Sequence, residues 1–204
     1  MAEKRTHVPL EQRRRELTET AVRVMARDGA WALTTRAVAK EAGVPHGTVH
    51  YAFSSKNELL REVMRLDISH LNDLAAAQRE REISSAQDVR HAVAEVFTAY
   101  ADSVMADPDT ETAYFELSLM AARDPELRAL SGQSQGEYRA VVAQLLEDMA
   151  ARTGLAWDAD VALVAEQALS GLFGAAVGWL EHRDDALFRA LLDDAAEVLA
   201  RRLG

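Results

Sequence analysis

The 204-residue sequence contains no cysteine and only four prolines, and no stretch of it approaches 18 uncharged apolar residues in a row. Without cysteine, disulfide bridges, thiol nucleophiles and cysteine-based zinc sites are excluded, and the composition fits a reducing cytoplasm. The N-terminal residues also lack the apolar core of a signal peptide, so neither export nor a membrane span is expected. We therefore expect a soluble, cytoplasmic protein with no membrane partner.

Charge is unevenly distributed along the chain, whose formal net charge is −10. Residues 1–66 carry 12 basic and 8 acidic side chains, a net charge of +4. The remaining 138 residues carry 11 basic and 25 acidic side chains, a net charge of −14. A polyanion such as nucleic acid attracts a basic surface and repels an acidic one. We therefore expect only the N-terminal third to face nucleic acid.

The hydrophobic pattern has a period of 3.6 nearly throughout, and alternating β-branched runs are absent, which predicts an all-α protein with about nine helices. Ser55-Lys56-Asn57-Glu58 reads as a capping box that starts a long fourth helix extending towards Leu74. Gly29 can end the first helix in a left-handed conformation. The other helices are predicted at about 10–28, 35–42, 45–52, 86–106, 110–122, 126–152, 159–181 and 185–202.

Residues 35–54 have the spacing of a helix-turn-helix. This motif needs a small residue where two helices cross, a glycine able to turn four residues later, and a β-branched apolar residue six beyond it. Ala39, Gly43 and Val49 meet these needs, and four further apolar positions can hold the unit on the body: Val38, Ala42, Val44 and Ala52. A generic helical hairpin with a glycine turn is the alternative, but the basic N-terminal segment favours DNA binding.

The residues from Thr34 to Val44, Gly47 to Phe53 and Lys56 to Leu60 resemble the N-terminal signature of TetR-family transcriptional repressors. The resemblance spans roughly residues 10–66. It implies a three-helix DNA-binding domain, followed by a helical domain that binds an effector and dimerises. We place these domains at 1–54 and 55–204. A homodimer that releases a palindromic double-stranded operator when an unidentified small molecule binds is the implied function.

Four residues are assigned to the bases by this resemblance. Thr48 and His46 occupy exposed positions at the start of the second short helix, the end that enters the major groove, where they can read base edges. Gly47 permits close approach of the backbone, and Arg36 matches a family position that can reach a guanine edge. For His46 the alternative is a solvated surface side chain.

Four further residues are assigned to the phosphates. Thr35 can donate to a phosphate beside the free amides of a helix N-terminus, with a plain helix cap as the alternative. His50, Tyr51 and Lys56 are expected to clamp phosphates, although each can also be an ordinary surface residue. The densest basic run, Arg13 to Arg15, is either a further contact or a solvated helix face.

The chain departs from the family pattern at two positions. Pro45 stands where a serine is frequent, and Ala52 stands where a histidine or tyrosine often reaches phosphate. The second change removes one expected backbone contact but keeps an apolar packing role.

The last two predicted helices have the pattern of a subunit interface. Between Ala165 and Leu180 small or apolar residues occur on almost every face, including glycines that admit a close neighbour. Burial within one subunit is the alternative. The predicted interface residues are Leu172, Gly174, Phe188, Leu191, Leu192 and Ala195.

Bulky, adaptable apolar side chains in the acidic two thirds can surround an effector cavity, although each can also be ordinary core. A packed core without a cavity is the alternative. Glu116 and Ser170 are further polar groups that can orient a ligand. The predicted pocket residues are Phe97, Tyr100, Phe115, Leu119, Met120, Tyr138, Gln167 and Phe173.

Enzyme motifs are missing from the sequence. It has no G-x-S-x-G, no H-E-x-x-H and no phosphate-binding glycine loop. The acidic stretch Glu181 to Asp185 ends a helix, where solvated side chains explain it better than a metal site. We therefore expect no catalysis, no cofactor and no bound metal. The competing hypothesis is an all-α small-molecule-binding or adaptor protein without DNA activity.

Overall fold

The computed structural model describes residues 9–204, apart from the side chain of His70. Nine α-helices, one short 3₁₀ helix at Ala30–Ala32 and an isolated β-bridge between Trp157 and Leu203 make up the regular structure of this range. The prediction of an all-α fold is confirmed. The helices are α1 Leu10–Asp28, α2 Thr35–Glu41, α3 His46–Ala52, α4 Lys56–Arg79, α5 Ala86–Ala106, α6 Pro108–Arg123, α7 Pro125–Thr153, α8 Val161–His182 and α9 Asp185–Ala200.

The chain forms two compact units. The first runs to Asp67 and also takes in Asp109–Ser131, and the second consists of Ile68–Pro108 and Gly132–Gly204. The chain passes between the units within α4, at the start of α6 and within α7. The compact units thus differ from the functional division expected at residue 54, because most of α6 belongs to the same unit as the short N-terminal helices.

The first unit has a continuous apolar core. Leu17 and Val24 from α1 are fully buried, as are Leu59 and Leu60 from the beginning of α4. Residues from α6 and the start of α7 complete the same core: Ala113, Leu117, Met120, Ala121, Leu127 and Leu130. Packing against this core stabilises α2 and α3, which are too short to be stable as isolated helices.

The helix-turn-helix has the geometry that its spacing predicts. Ala39 is 4% exposed and Val49 is fully buried, so both face the core. Gly43 has φ of 64°, and Val44 N–H donates to the carbonyl of Ala39 at 3.0 Å. A β-carbon is disfavoured in that left-handed conformation, which explains the glycine.

The start of α4 is stabilised differently from a reciprocal capping box. Ser55 accepts from the Glu58 N–H at 3.1 Å, as predicted. The Glu58 carboxylate, however, accepts from the backbone and hydroxyl of Ser54, both at 2.7 Å, and from Arg14 at 2.8 Å. A capping box also predicts that the Glu58 carboxylate accepts from the Ser55 N–H. That part of the prediction is wrong, because Ser54 and Arg14 occupy the carboxylate.

The second unit contains the rest of α4 and α7 together with α5, α8 and α9. Trp179 of α8 stacks on Phe188 of α9 with ring centroids 5.7 Å apart. The C-terminus is tied to the loop after α7, because Gly204 and Ala156 exchange two backbone hydrogen bonds. α8 is long and apolar enough to cross a membrane by length and composition alone. A core helix of a soluble protein can meet the same two criteria.

Candidate DNA-binding surface and effector cavity

The first turns of α2 and α3 form an exposed polar surface on the first unit. Arg36 at the start of α2 and Gly47 near the start of α3 are exposed, whereas His46 and Thr48, which were predicted to be exposed, are half-buried. Further along α3, His50 is exposed and Tyr51 is 77% exposed. Within residues 9–204 the Arg36 guanidinium has no hydrogen-bond or ion-pair partner, so it is free to bind an external acceptor. The fold thus brings seven of the eight predicted DNA-binding residues to two adjacent short helices.

Two predicted DNA-binding residues contact each other on this surface. The Thr35 hydroxyl lies 3.1 Å from Nε2 of His46, which links α2 to α3. The His46 and His50 rings meet edge to face, with centroids 4.4 Å apart. Partial desolvation, followed by the proximity of His50 and Arg36, lowers the pKa of His46. A neutral imidazole at neutral pH follows.

The cap of α2 is Thr34 rather than Thr35. Thr34 accepts a hydrogen bond from the Ala37 N–H at 3.0 Å. The plain-cap alternative for Thr35 is therefore wrong. Pro45, which stands where the family often has a serine, has no side-chain hydroxyl to cap α3. Its backbone carbonyl accepts a hydrogen bond from the Thr48 N–H at 2.8 Å.

Lys56 is a half-buried cation at the first position of α4. Desolvation lowers the pKa of its ammonium group. No carboxylate of the described residues pairs with it. A desolvated, unpaired ammonium gains more from an approaching anion than an exposed, already paired one.

The arginine run of α1 is neutralised within the chain. Arg13 pairs with Glu16 at 2.9 Å and Arg15 pairs with Glu19 at 3.0 Å. Arg14 pairs with Glu58, lies over the Phe53 ring at 4.6 Å and donates to the Ala52 carbonyl. Arg14 therefore ties α1 to the end of α3 and the start of α4, a role that sequence reasoning missed because the partners are 38 or more residues away.

The second unit contains an apolar cavity of about 40 Å³. Its wall exposes no polar surface. Five helices contribute side chains, and the lining residues are Leu71, Ala75, Val93, Val96, Phe97, Val141, Val142, Leu145, Leu146, Ala168, Leu169, Leu172 and Leu199. A molecule inside it would contact hydrocarbon only.

Most predicted pocket residues do not line this cavity. Phe97 does, whereas Leu119 and Met120 lie on α6 in the first unit, Met120 in its core and Leu119 67% exposed. Phe115 is on the same helix, and half-buried Tyr100 is on α5.

The remaining predicted pocket residues also have contacts away from the cavity lining. Tyr138 and Phe173 pack edge to face, with centroids 6.2 Å apart. Gln167 is exposed and accepts a hydrogen bond from Arg202. Sequence reasoning favoured aromatic side chains and missed the aliphatic wall. The signal available was the pairs Val141-Val142 and Leu145-Leu146, one turn apart on α7.

The predicted interface residues divide between the interior and the surface of the second unit. Phe188 and Leu192 are 1% and 2% exposed, and Leu172 lines the cavity. Leu191, by contrast, is 47% exposed, and Gly174 is exposed with open space around it. Ala195 is half-buried between these extremes.

Comparison with known proteins identifies this arrangement. Residues 17–63 match the family described as bacterial regulatory proteins, tetR family. Residues 84–199 match the tetracyclin repressor-like C-terminal domain, which covers more than half of the chain. The chain belongs to the TetR family. It is accordingly a DNA-binding, ligand-responsive transcriptional regulator.

Curated TetR-family relatives match over part of their length. The nicotine-responsive transcriptional repressor HdnoR of Paenarthrobacter nicotinovorans is 29% identical over 140 residues, 69% of this chain and 70% of that protein. The regulator BetI of Rhizobium meliloti is 30% identical over 118 residues, 58% of this chain and 56% of BetI.

Solved structures share the whole fold at low identity. A TetR-family regulator from Mesorhizobium loti has a TM-score of 0.76 at 18% identity, covering 97% of this chain and 100% of that one. FadR of Bacillus subtilis, solved in complex with stearoyl-CoA, has a TM-score of 0.73 at 17% identity, covering 93% of this chain and 99% of FadR. At such identities the likeness establishes the fold of this TetR-family chain.

Proposed function

We propose that this TetR-family protein is a homodimeric repressor that binds a palindromic operator and releases it when an apolar small molecule enters the cavity. The observation that carries the proposal is the exposed polar surface on α2 and α3, held by the glycine turn at Gly43. A short helix pair with this geometry presents the start of its second helix to the major groove. We assign operator binding to residues 1–54 together with Lys56, and effector binding and dimerisation to the remainder of 55–204.

Base reading is assigned to residues in the first turns of α2 and α3. His46 and Thr48 from α3, and Arg36 from α2, carry hydrogen-bonding groups that complement base edges. Gly47 has no atom within 4 Å of the place where a β-carbon would stand, so the backbone can approach DNA closely. Together these residues supply sequence discrimination.

Phosphate binding is assigned to His50, Tyr51 and Lys56. The first two side chains are exposed on α3, and the Lys56 ammonium is half-buried and unpaired in the described chain. Contacts of this kind fix the register of a protein on DNA without reading sequence.

The exposed apolar face of α8 and α9 supports a homodimer. On α9, Leu187, Leu191 and Val198 are between 44% and 53% exposed and share one helix face. On α8, Leu163 and Val177 are 51% and 40% exposed. Several exposed apolar side chains on one helix face are typical of a subunit interface in a soluble protein. A second copy of this face would also account for the high hydropathy of α8 without a membrane.

The wall of the cavity supports an effector whose buried part is hydrocarbon. A buried charge or hydrogen-bonding group would find no partner there, and its desolvation would oppose binding. The stearoyl chain of the ligand in FadR has this chemistry. For HdnoR, nicotine is the named effector, but a charged amine would meet no carboxylate on this wall.

The route from effector to operator is assigned to α4. This helix is continuous from Lys56, beside the proposed DNA surface, to Leu71 and Ala75, which line the cavity. A ligand that moves its C-terminal half would tilt its N-terminal half, because a helix is stiff. Binding of the effector then lowers the affinity for the operator, and binding of the operator lowers the affinity for the effector by the same factor.

A regulator of this kind acts in the cytoplasm, and we expect no catalytic activity. The competing hypothesis of an adaptor without DNA activity predicts no sequence preference. Selection from a random pool of double-stranded DNA tests the two. We expect the full-length protein to enrich an inverted repeat, whereas enrichment of no sequence would overturn operator binding.

The proposed release by an effector is tested with the operator sequence selected from the random DNA pool. Fatty acids and acyl-CoA molecules of increasing chain length are screened by thermal shift, and operator affinity is then titrated with each stabilising compound. We expect lower operator affinity as the bound chain lengthens. As a control, Leu169→Trp should fill the cavity and abolish both effects without changing operator affinity in the absence of ligand. Stabilising compounds that leave operator affinity unchanged would contradict the switch.

A further inference from the structure

The Thr35 hydroxyl has one hydrogen-bond partner in the described part of the chain, and that partner is His46. The distance between Thr35 Oγ1 and His46 Nε2 is 3.1 Å. Thr35 is the first residue of α2, but the cap of this helix is supplied by Thr34. The backbone of α2 therefore does not use the Thr35 hydroxyl.

The His46 ring is restrained by two helices. Thr35 holds one of its nitrogens from α2, and His50 lies against it one turn further along α3, with the two rings inclined at 76°. An imidazole without such contacts has a broad distribution of ring orientations about χ2. A side chain that is already oriented loses less conformational freedom when it binds a partner.

We propose that Thr35 is a positioning residue that donates to Nε2 of His46 and so directs the His46 Nδ1–H at a base edge. This inference rests on the DNA-binding function proposed above. It replaces the expectation from the sequence that Thr35 donates to a phosphate, because the Thr35 hydroxyl then donates to His46. A neutral imidazole has one N–H and one acceptor nitrogen, so a bond accepted at Nε2 leaves the proton on Nδ1. The complementary acceptors in the major groove are purine N7, guanine O6 and thymine O4.

The surroundings of His46 favour this neutral form. Partial desolvation, then the imidazole of His50 and the cationic Arg36 of α2, lower the pKa of His46 and so disfavour a second proton. With the Nε2 position occupied by Thr35, only one edge of the ring remains to face DNA. His46 then reads a single hydrogen-bond acceptor.

A direct phosphate contact by Thr35 and a positioning role have different consequences. Phosphate contacts carry no sequence information, so losing one weakens binding to all sequences by the same factor. Loss of the positioning bond instead reduces discrimination at the base pair that His46 reads. The expected reduction is about three- to tenfold, the range for one hydrogen bond.

The experiment uses full-length protein and the site that it selects from random double-stranded DNA. Affinities for that site and for each of its single-base variants are measured for wild type, Thr35→Val, Thr35→Ser, His46→Ala and the double variant Thr35→Val/His46→Ala. Thermal unfolding of each variant checks that the fold is retained, and Thr35→Ala replaces Thr35→Val if valine prevents folding.

We expect Thr35→Val and His46→Ala to lose preference at the same base pair in each half-site. Thr35→Ser, which retains the hydroxyl, should restore the preference, and the double variant should resemble His46→Ala alone. A uniform loss of affinity in Thr35→Val with its base preferences intact, or additive effects in the double variant, would overturn the positioning role alone. If wild type selects no sequence, the proposed function fails together with this inference.

Discussion

The backbone N–H of Ala30 donates to Oε2 of Glu116 at 2.7 Å, across 86 residues of sequence. Ala30 is fully buried where α1 gives way to the 3₁₀ helix, and Glu116 lies on α6. The carboxylate thus satisfies an amide that neither helix can satisfy. Sequence reasoning considered Glu116 as a ligand contact, but its observed partner lies in the first unit.

Replacing Glu116 with leucine should lower the free energy of unfolding by about 1–3 kcal/mol, because the buried Ala30 N–H loses its acceptor. Glu116→Gln retains an acceptor oxygen and should cost less. Urea unfolding of both variants measures the difference. Equal losses in the two variants would show that the charge, rather than the acceptor, is what matters.

Gly29→Ala should destabilise the protein by about 1–3 kcal/mol. Gly29 has φ of 85°, and an added β-carbon would stand 3.2 Å from Glu116 Oε2. Gly136→Ala is the control, because nothing lies within 4 Å of its β-carbon position on α7. The control should stabilise by about 0.5–1 kcal/mol through helix propensity. Thermal unfolding that ranked the two substitutions in the opposite order would contradict this account of Gly29.

Glu58→Gln should flatten the acid dependence of stability. Hydrogen bonds from Ser54, together with Arg14, lower the pKa of Glu58 from its ordinary 4.5 to about 2. A carboxyl with a depressed folded-state pKa contributes stability that is complete above its unfolded pKa and is lost as pH falls through the folded pKa. The wild type should therefore lose its advantage over Glu58→Gln between about pH 4.5 and pH 2. Denaturant unfolding across this window measures it, and parallel curves would exclude Glu58 as the source.

Lys56→Ala should weaken binding to all DNA sequences similarly and reduce the salt slope of log affinity by about 1, because one phosphate contact is lost. Arg15→Ala is the matched control, since Arg15 is already paired with Glu19 on an exposed face of α1. Anisotropy titrations across a range of salt concentrations measure both slopes. If the control changed the slope and Lys56→Ala did not, the assignment of Lys56 to phosphate would be wrong.

Leu191→Glu should convert a dimer into monomers, because a charge would be buried unpaired at the proposed interface. Leu119→Glu is the matched control, since Leu119 is 67% exposed on α6, outside that interface. Sedimentation at micromolar concentration reads out the state of each variant, and folding is checked by circular dichroism. Wild-type monomers under these conditions would contradict the dimer itself.

The helices and the helix-turn-helix were predictable from sequence because their determinants are local. The 3.6-residue period places most helix ends within about two residues of those observed. The spacing of Ala39, Gly43 and Val49 predicts the turn because each residue type meets a steric requirement that its near neighbours in sequence impose. The roles assigned to His46, Thr48 and Tyr51 on DNA stay predictions that the experiments above test.

Only the tertiary structure decided which side chains meet across long sequence separations. In the sequence Arg14 is one of three adjacent arginines, but in the structure it lies over Phe53 and pairs with Glu58. The Glu116 carboxylate likewise accepts a hydrogen bond from the distant Ala30 N–H. The cavity likewise depends on how five helices pack, so no single helix pattern separates Leu145 or Leu169 in its wall from ordinary core. Periodicity determines which face of a helix is apolar. Which neighbour that face meets, and whether a space remains between them, depends on packing over the whole unit.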